Sequence, residues 1–96
     1  MSPKNQKKLE IIRSKLDKLD NNLLSLIKYR TSLVNEVLKL KEFKKEIVDK
    51  KRIKFILKKI HEKSKKLHID TKITNRIWKN MIWSYIDYEK RKFKKK

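Results

Sequence analysis

The chain of 96 residues has no cysteine, no glycine, no alanine and a single proline. Without cysteine there is no disulfide, no thiolate nucleophile and no cysteine-ligated metal, and a reducing compartment, the cytoplasm, is the expected home. Without glycine no phosphate-cradling glycine-rich loop can be built, and tight-turn signals are few. No run of about eighteen uncharged apolar residues is present, so no membrane span is expected. The opening "MSPKNQKKLE" lacks the apolar core of a signal peptide. Acidic residues are scarce as well: 11 stand against 30 basic ones, for a net charge of +19. Such a surplus usually marks a polyanion binder. Here, however, almost all the cations are lysines, in a chain also rich in isoleucine and asparagine, as A+T-rich coding sequences yield. The few arginines, Arg13, Arg30, Arg52, Arg76 and Arg91, are therefore the more informative cations.

What is present is helical periodicity. Apolar residues recur every three or four positions and no segment alternates with period two, so the chain reads as all-α with three helices in one domain over residues 1–96. The first helix is expected from about Lys7 to about Phe43, with Leu9, Ile12, Leu16, Leu19, Leu23, Leu26, Leu33, Val34 and Val37 on one face. Its weak point is "DNN" at 20–22, which are poor helix formers, but the spacing keeps its phase on both sides. A loop is expected over 44–48. The second helix covers 49–66 and carries Ile53, Ile56, Leu57 and Ile60. The third covers 70–93, opening on Asp70 as N-cap, before a basic tail at 94–96. At 1.5 Å per residue the first helix would be roughly 50 Å long, against a radius of gyration of about 12.5 Å for a compact globule of this size. Two short helices cannot cover so long an apolar stripe, and an intertwined homodimer is the expected solution.

Two cations interrupt that stripe. Arg30 and Lys41 are eleven residues apart and so point within about 20° of each other on a helical wheel, in line with Ile12, Leu19, Leu23 and Val37. An unpaired charge inside a bundle costs several kcal/mol, so a bound anion or a buried carboxylate is needed there. Glu89, central among Trp78, Ile82, Tyr85, Ile86 and Phe93 on the third helix, is the candidate carboxylate. The bland alternative is that both cations snorkel from the edge of a core.

The segment "LEIIRSKLDKLDNNLLSLIKYRTSLVNEVLKLK", followed by "IVDKKR", resembles the all-helical (AroQ-type) chorismate mutases. The order and spacing of Arg13, Arg30, Lys41, Asp49 and Arg52 carry the resemblance, which runs from about Leu9 to Glu89. It implies an intertwined homodimer that converts chorismate to prephenate by a Claisen rearrangement, with no cofactor and no metal. Such a reaction needs a dianionic substrate folded into a chair, and donors where the breaking ether oxygen gains electron density. By the same resemblance Arg30 grips a substrate carboxylate, Arg13 reaches across the dimer, and Lys41 donates to the ether oxygen. Arg52 lines the pocket, and Asp49 holds the substrate's ring hydroxyl or that arginine. Three positions depart from the pattern. Ile53 stands where the family has a glutamate that binds the ring hydroxyl, Tyr85 where it has a serine, and Glu89 where it has a glutamine that donates to the ether oxygen. Glu89 can make that contact only when protonated.

An apolar residue at 53 and the aromatic "WSYIDYE" are also similar to the isochorismate-pyruvate lyases, which share this fold, and lyase activity is the second enzymatic reading. The non-enzymatic alternative is a basic helical dimer that binds nucleic acid, resting on the net charge, "KFKKK" and exposed Trp83 or Tyr88; the lysines are, however, scattered over every helix rather than gathered in one strip. His61 and His68 do not form a compact zinc set with Glu62 and Asp70. Ser14, Ser25, Ser32, Ser64 and Ser84 have no histidine placed for nucleophilic hydrolysis.

Overall fold

The computed structural model describes residues 1–95; Lys96, the last residue of the expected tail, lies outside the described residues. The fold is all-α. Three helices follow one another, α1 (Pro3–Leu40), α2 (Lys50–Lys66) and α3 (Thr71–Lys92), with a one-turn 3-10 helix at Lys44–Ile47 between the first two. The described residues contain no strand, and none of their helices is long and apolar enough to cross a membrane. The chain divides into two compact units, Met1–Leu33 and the remainder from Val34 onward.

The first unit is helical from Pro3, four residues before the expected start. The signal for this start is local and readable in the sequence. Ser2 caps the helix by accepting the Asn5 N–H on its hydroxyl at 3.2 Å, and its carbonyl takes the Gln6 N–H at 2.8 Å. Pro3 then occupies the first helical position, where its missing N–H costs nothing and its fixed φ suits the helix. The "DNN" segment does not break α1. Instead the Ser25 hydroxyl donates back to the Asn21 carbonyl at 3.2 Å, and Thr31 and Ser32 return similar bonds to Ile27 and Tyr29. The apolar stripe of this unit is exposed: Leu16, Leu19, Leu23 and Leu26 each keep about half or more of their surface.

The second unit holds the core. Ile47, Ile82 and Ile86 are its buried apolar side chains, with Leu38, Val48, Ile53, Ile56, Leu57 and Phe93 packed around them. Helix α1 stops at Leu40, not near Phe43, because two bonds draw the chain off its axis. The Lys41 N–H closes a tight turn on the Leu38 carbonyl at 3.2 Å, and the Glu42 N–H is taken by Glu46 Oε2 at 3.2 Å. The segment expected as a loop over 44–48 is therefore partly a 3-10 turn, and it buries Ile47 to 3% exposure.

Helices α2 and α3 form an αα-hairpin. Each begins on an aspartate N-cap: Asp49 Oδ1 accepts the Arg52 N–H at 3.0 Å and Asp70 Oδ1 the Lys72 N–H at 2.8 Å. The turn between them is a Schellman motif, in which Ile69 N–H reaches the Ser64 carbonyl at 2.9 Å and His68 N–H the Lys65 carbonyl at 3.2 Å. Its left-handed position, normally a glycine, is taken by His68 at φ 57°. Near this turn the Ser64 and Thr74 hydroxyls share a buried 2.7 Å hydrogen bond, and Ser64 also donates to the Ile60 carbonyl.

Candidate functional site

The residues singled out in the sequence fall into both units. In the first, Arg13 is exposed on α1 and Arg30 is half-buried near the unit's end. The other six lie in the second unit, where the structure brings two of them into direct contact. Lys41 Nζ donates to Glu89 Oε1 at 3.0 Å, with the two side chains only 17% and 9% exposed. Lys41 achieves this from a position different from the one the helical wheel gave it. It is the first residue beyond α1, and leaving the helix turns its stem toward α3. Glu89 sits one turn after Ile86 and one turn before Phe93, so its carboxylate shares the apolar face that α3 turns to the core.

At the start of α2, Asp49 and Arg52 are linked, though not through the guanidinium. The Asp49 carboxylate caps the backbone of Arg52, while the guanidinium lies over the Phe55 ring, 5.4 Å from its centroid. Asp49 and Arg52 are both exposed. Ile53 packs against the buried isoleucine cluster. Tyr85 is half-buried and meets Tyr88 edge-on, with ring centroids 6.4 Å apart. Tyr88, which the nucleic-acid alternative offered with Trp83 as an exposed aromatic, is half-buried, and its hydroxyl donates to Asn35 Oδ1 at 3.0 Å. Trp83 is exposed.

Chemically, the Lys41–Glu89 pair is a cation held in a low-water setting by one of its three N–H groups. The other two N–H groups can be offered to an acceptor. An ion pair this deep is poor evidence for stability alone, since desolvation offsets much of its attraction.

A family model described as chorismate mutase type II matches residues 12–90. The chain belongs to the chorismate mutase type II family. No curated protein and no solved structure matches it. The span matched in this chorismate mutase family member contains all eight of the residues above, from Arg13 to Glu89. Among the described residues no three of His, Cys, Asp and Glu come together as a metal-binding group.

The pairing of Lys41 with Glu89 was legible in the sequence as a need for a buried carboxylate opposite a buried cation. The Asn35–Tyr88 bond was not, because nothing local marks two polar residues fifty-three positions apart as partners.

Proposed function

We propose that this chain is a chorismate mutase that rearranges chorismate to prephenate, working as a cytoplasmic homodimer and needing no cofactor. The observation that supports it best is the partly buried Lys41–Glu89 pair in a chain of this family. In this reading the two substrate carboxylates are held by guanidinium forks, from Arg30 of one chain and Arg13 of its dimer partner. Lys41, already oriented by Glu89, turns a remaining N–H to the ether oxygen as the carbon–oxygen bond breaks and charge gathers there. Glu89 contributes a second donor to that oxygen only after taking up a proton; as a bare carboxylate it repels the developing charge. Arg52 and Tyr85 complete the pocket wall. Asp49 acts chiefly by fixing the start of α2, and so the place of Arg52. Ile53 offers no polar contact to the ring hydroxyl.

The exposed stripe of the first unit supports the dimer part of this reading. Burying what remains exposed of Leu16, Leu19, Leu23 and Leu26, about half of each, against a second copy contributes on the order of 1 kcal/mol each. Sedimentation at micromolar chain concentration should give twice the monomer mass; a monomer would remove the trans role of Arg13.

Pyruvate elimination from isochorismate is the second reading, favoured specifically by the apolar Ile53, since it uses much the same cations. The deciding experiment incubates purified protein with chorismate and, separately, with isochorismate. Loss of chorismate absorbance with prephenate identified by mass supports the mutase; salicylate and pyruvate support the lyase. Either activity should fall at least about 100-fold in Arg30→Ala, the scale of misplacing a substrate by losing a group that positions it. Full activity in that variant would overturn the assignment of Arg30.

A further inference from the structure

In the second unit, a groove of about 610 Å³ whose lining does not include Lys41 or Glu89 is lined by Asn35, Leu38, Lys39, Tyr88, Lys92, Lys94 and Lys95. We propose that this groove binds a small polyanion bearing phosphate or carboxylate groups. Its lining carries no acidic residue. The volume is that of a small-molecule site, and its cations converge on one concavity instead of running along a strip, which fits a compact ligand better than a nucleic-acid strand.

An ordinary explanation for these lysines is that they compensate helix dipoles, because Lys39 and Lys92 lie in the last turns of α1 and α3. Magnitudes decide against that as the whole account. Each helix end presents about half a negative charge, so two ends withdraw roughly one unit. Lys92, Lys94 and Lys95 alone supply three ammonium groups, and Lys94 and Lys95 lie beyond the end of α3. About two positive charges remain for a ligand.

The floor is also set for an acceptor. Asn35 spends its amide oxygen on the Tyr88 hydroxyl, so what it can offer a ligand is the nitrogen, a donor only. Tyr88 is fixed by three contacts: its bond to Asn35, the Tyr85 ring, and the Arg91 guanidinium 5.9 Å from its ring centroid. Arg91 is itself tied to Asp87 at 2.9 Å, which holds it on the ring. A Tyr88 and Asn35 already held in place lose little ordering entropy on binding an anion, so the cost falls on the lysine side chains alone.

The inference does not depend on the catalytic reading, and binding can be read directly. Tripolyphosphate and citrate are titrated into the full chain by calorimetry at about 150 mM salt, where exposed charges more than a Debye length apart are screened. The titrations are repeated on Lys92→Gln/Lys94→Gln/Lys95→Gln and on a control of equal net charge, Lys58→Gln/Lys63→Gln/Lys65→Gln, whose lysines are all exposed on α2. We expect at least tenfold weaker binding in the groove variant and less than a twofold change in the control; the probe that binds tells phosphate from carboxylate recognition. Equal losses in both variants would mean attraction to net charge alone and overturn the proposal, as would no binding of either probe to the unmodified chain.

Discussion

Replacing Lys41 with methionine isolates the energetic logic of the central ion pair. The substitution keeps the length of the stem, with a sulfur in place of one methylene, and removes the ammonium, leaving the Glu89 carboxylate at 7% exposure without its cation. At 3.0 Å and an effective dielectric of about 20, the lost attraction is roughly 5.5 kcal/mol. Desolvation of the ammonium, no longer required, returns part of it. Removing one partner of a buried pair typically costs 3–5 kcal/mol, and the residual exposure of Lys41 places this one near the lower end, about 3 kcal/mol. Glu89→Gln should cost much less, about 1 kcal/mol. The amide oxygen still accepts from Nζ, and the ammonium, at 17% exposure, can find water. The double variant carries no buried charge and should lose less than the two single losses combined, with a coupling of about 2 kcal/mol. Urea unfolding at one fixed chain concentration measures all three, the concentration being held because association contributes to stability. Should Lys41→Met cost under about 1 kcal/mol, as an exposed pair would, the claim that this carboxylate depends on its cation is wrong.

Other consequences can be checked with single substitutions. Glu89→Gln should raise the rate of chorismate turnover, because its amide N–H can donate to the ether oxygen where the carboxylate can only accept; a kcat no higher than that of the unmodified chain would discard the role. His68→Gly should raise stability by about 0.5–1 kcal/mol, since the left-handed position penalises a Cβ by 1–2 kcal/mol and glycine gives part of that back as unfolded-chain entropy; thermal unfolding reads the shift, and a midpoint that does not rise counts against the strain. Ser64→Ala should cost about 1–2 kcal/mol by leaving the Thr74 hydroxyl, 8% exposed, with only a 3.5 Å contact to the Thr71 carbonyl. Adding Thr74→Val should recover much of that loss in the same denaturation assay, and a further loss instead would show that the pair matters through packing.

How much of this could be read from residue order varies with the range of the interaction. The all-α class, the Asp70 cap and the apolar faces of α2 and α3 are local or periodic signals, and they carry through. The Lys41–Glu89 pair was foreseeable because burial of a charge demands an opposite one, although Lys41 reaches it by leaving the helix. The start of α1 was also encoded, in Ser2 and Pro3, but polar residues after them hid it from a reading based on apolar spacing. The 3-10 turn that buries Ile47 was not legible: a run of two lysines and a glutamate looks like solvated loop until Glu46 captures the Glu42 N–H. Nor was the α2–α3 turn, where the usual glycine is missing and histidine bears the left-handed backbone. That the Asp49 carboxylate accepts the Arg52 backbone N–H was not part of the reading of Asp49 as a residue holding the ring hydroxyl or that arginine.

The hydroxyl pair between Ser64 and Thr74 fixes more than a local bond. Isoleucine faces alone would tolerate sliding of α2 along α3 by one helical turn, about 5.4 Å, with little change in apolar contact. A slide of that size would strand both hydroxyls in a dry seam, so only one alignment leaves every buried polar atom satisfied. The hydroxyl pair thus acts as a detent close to the bend, locking in the alignment that the short Schellman turn imposes and with it the distance from the Asp49 end of α2 to Glu89 on α3.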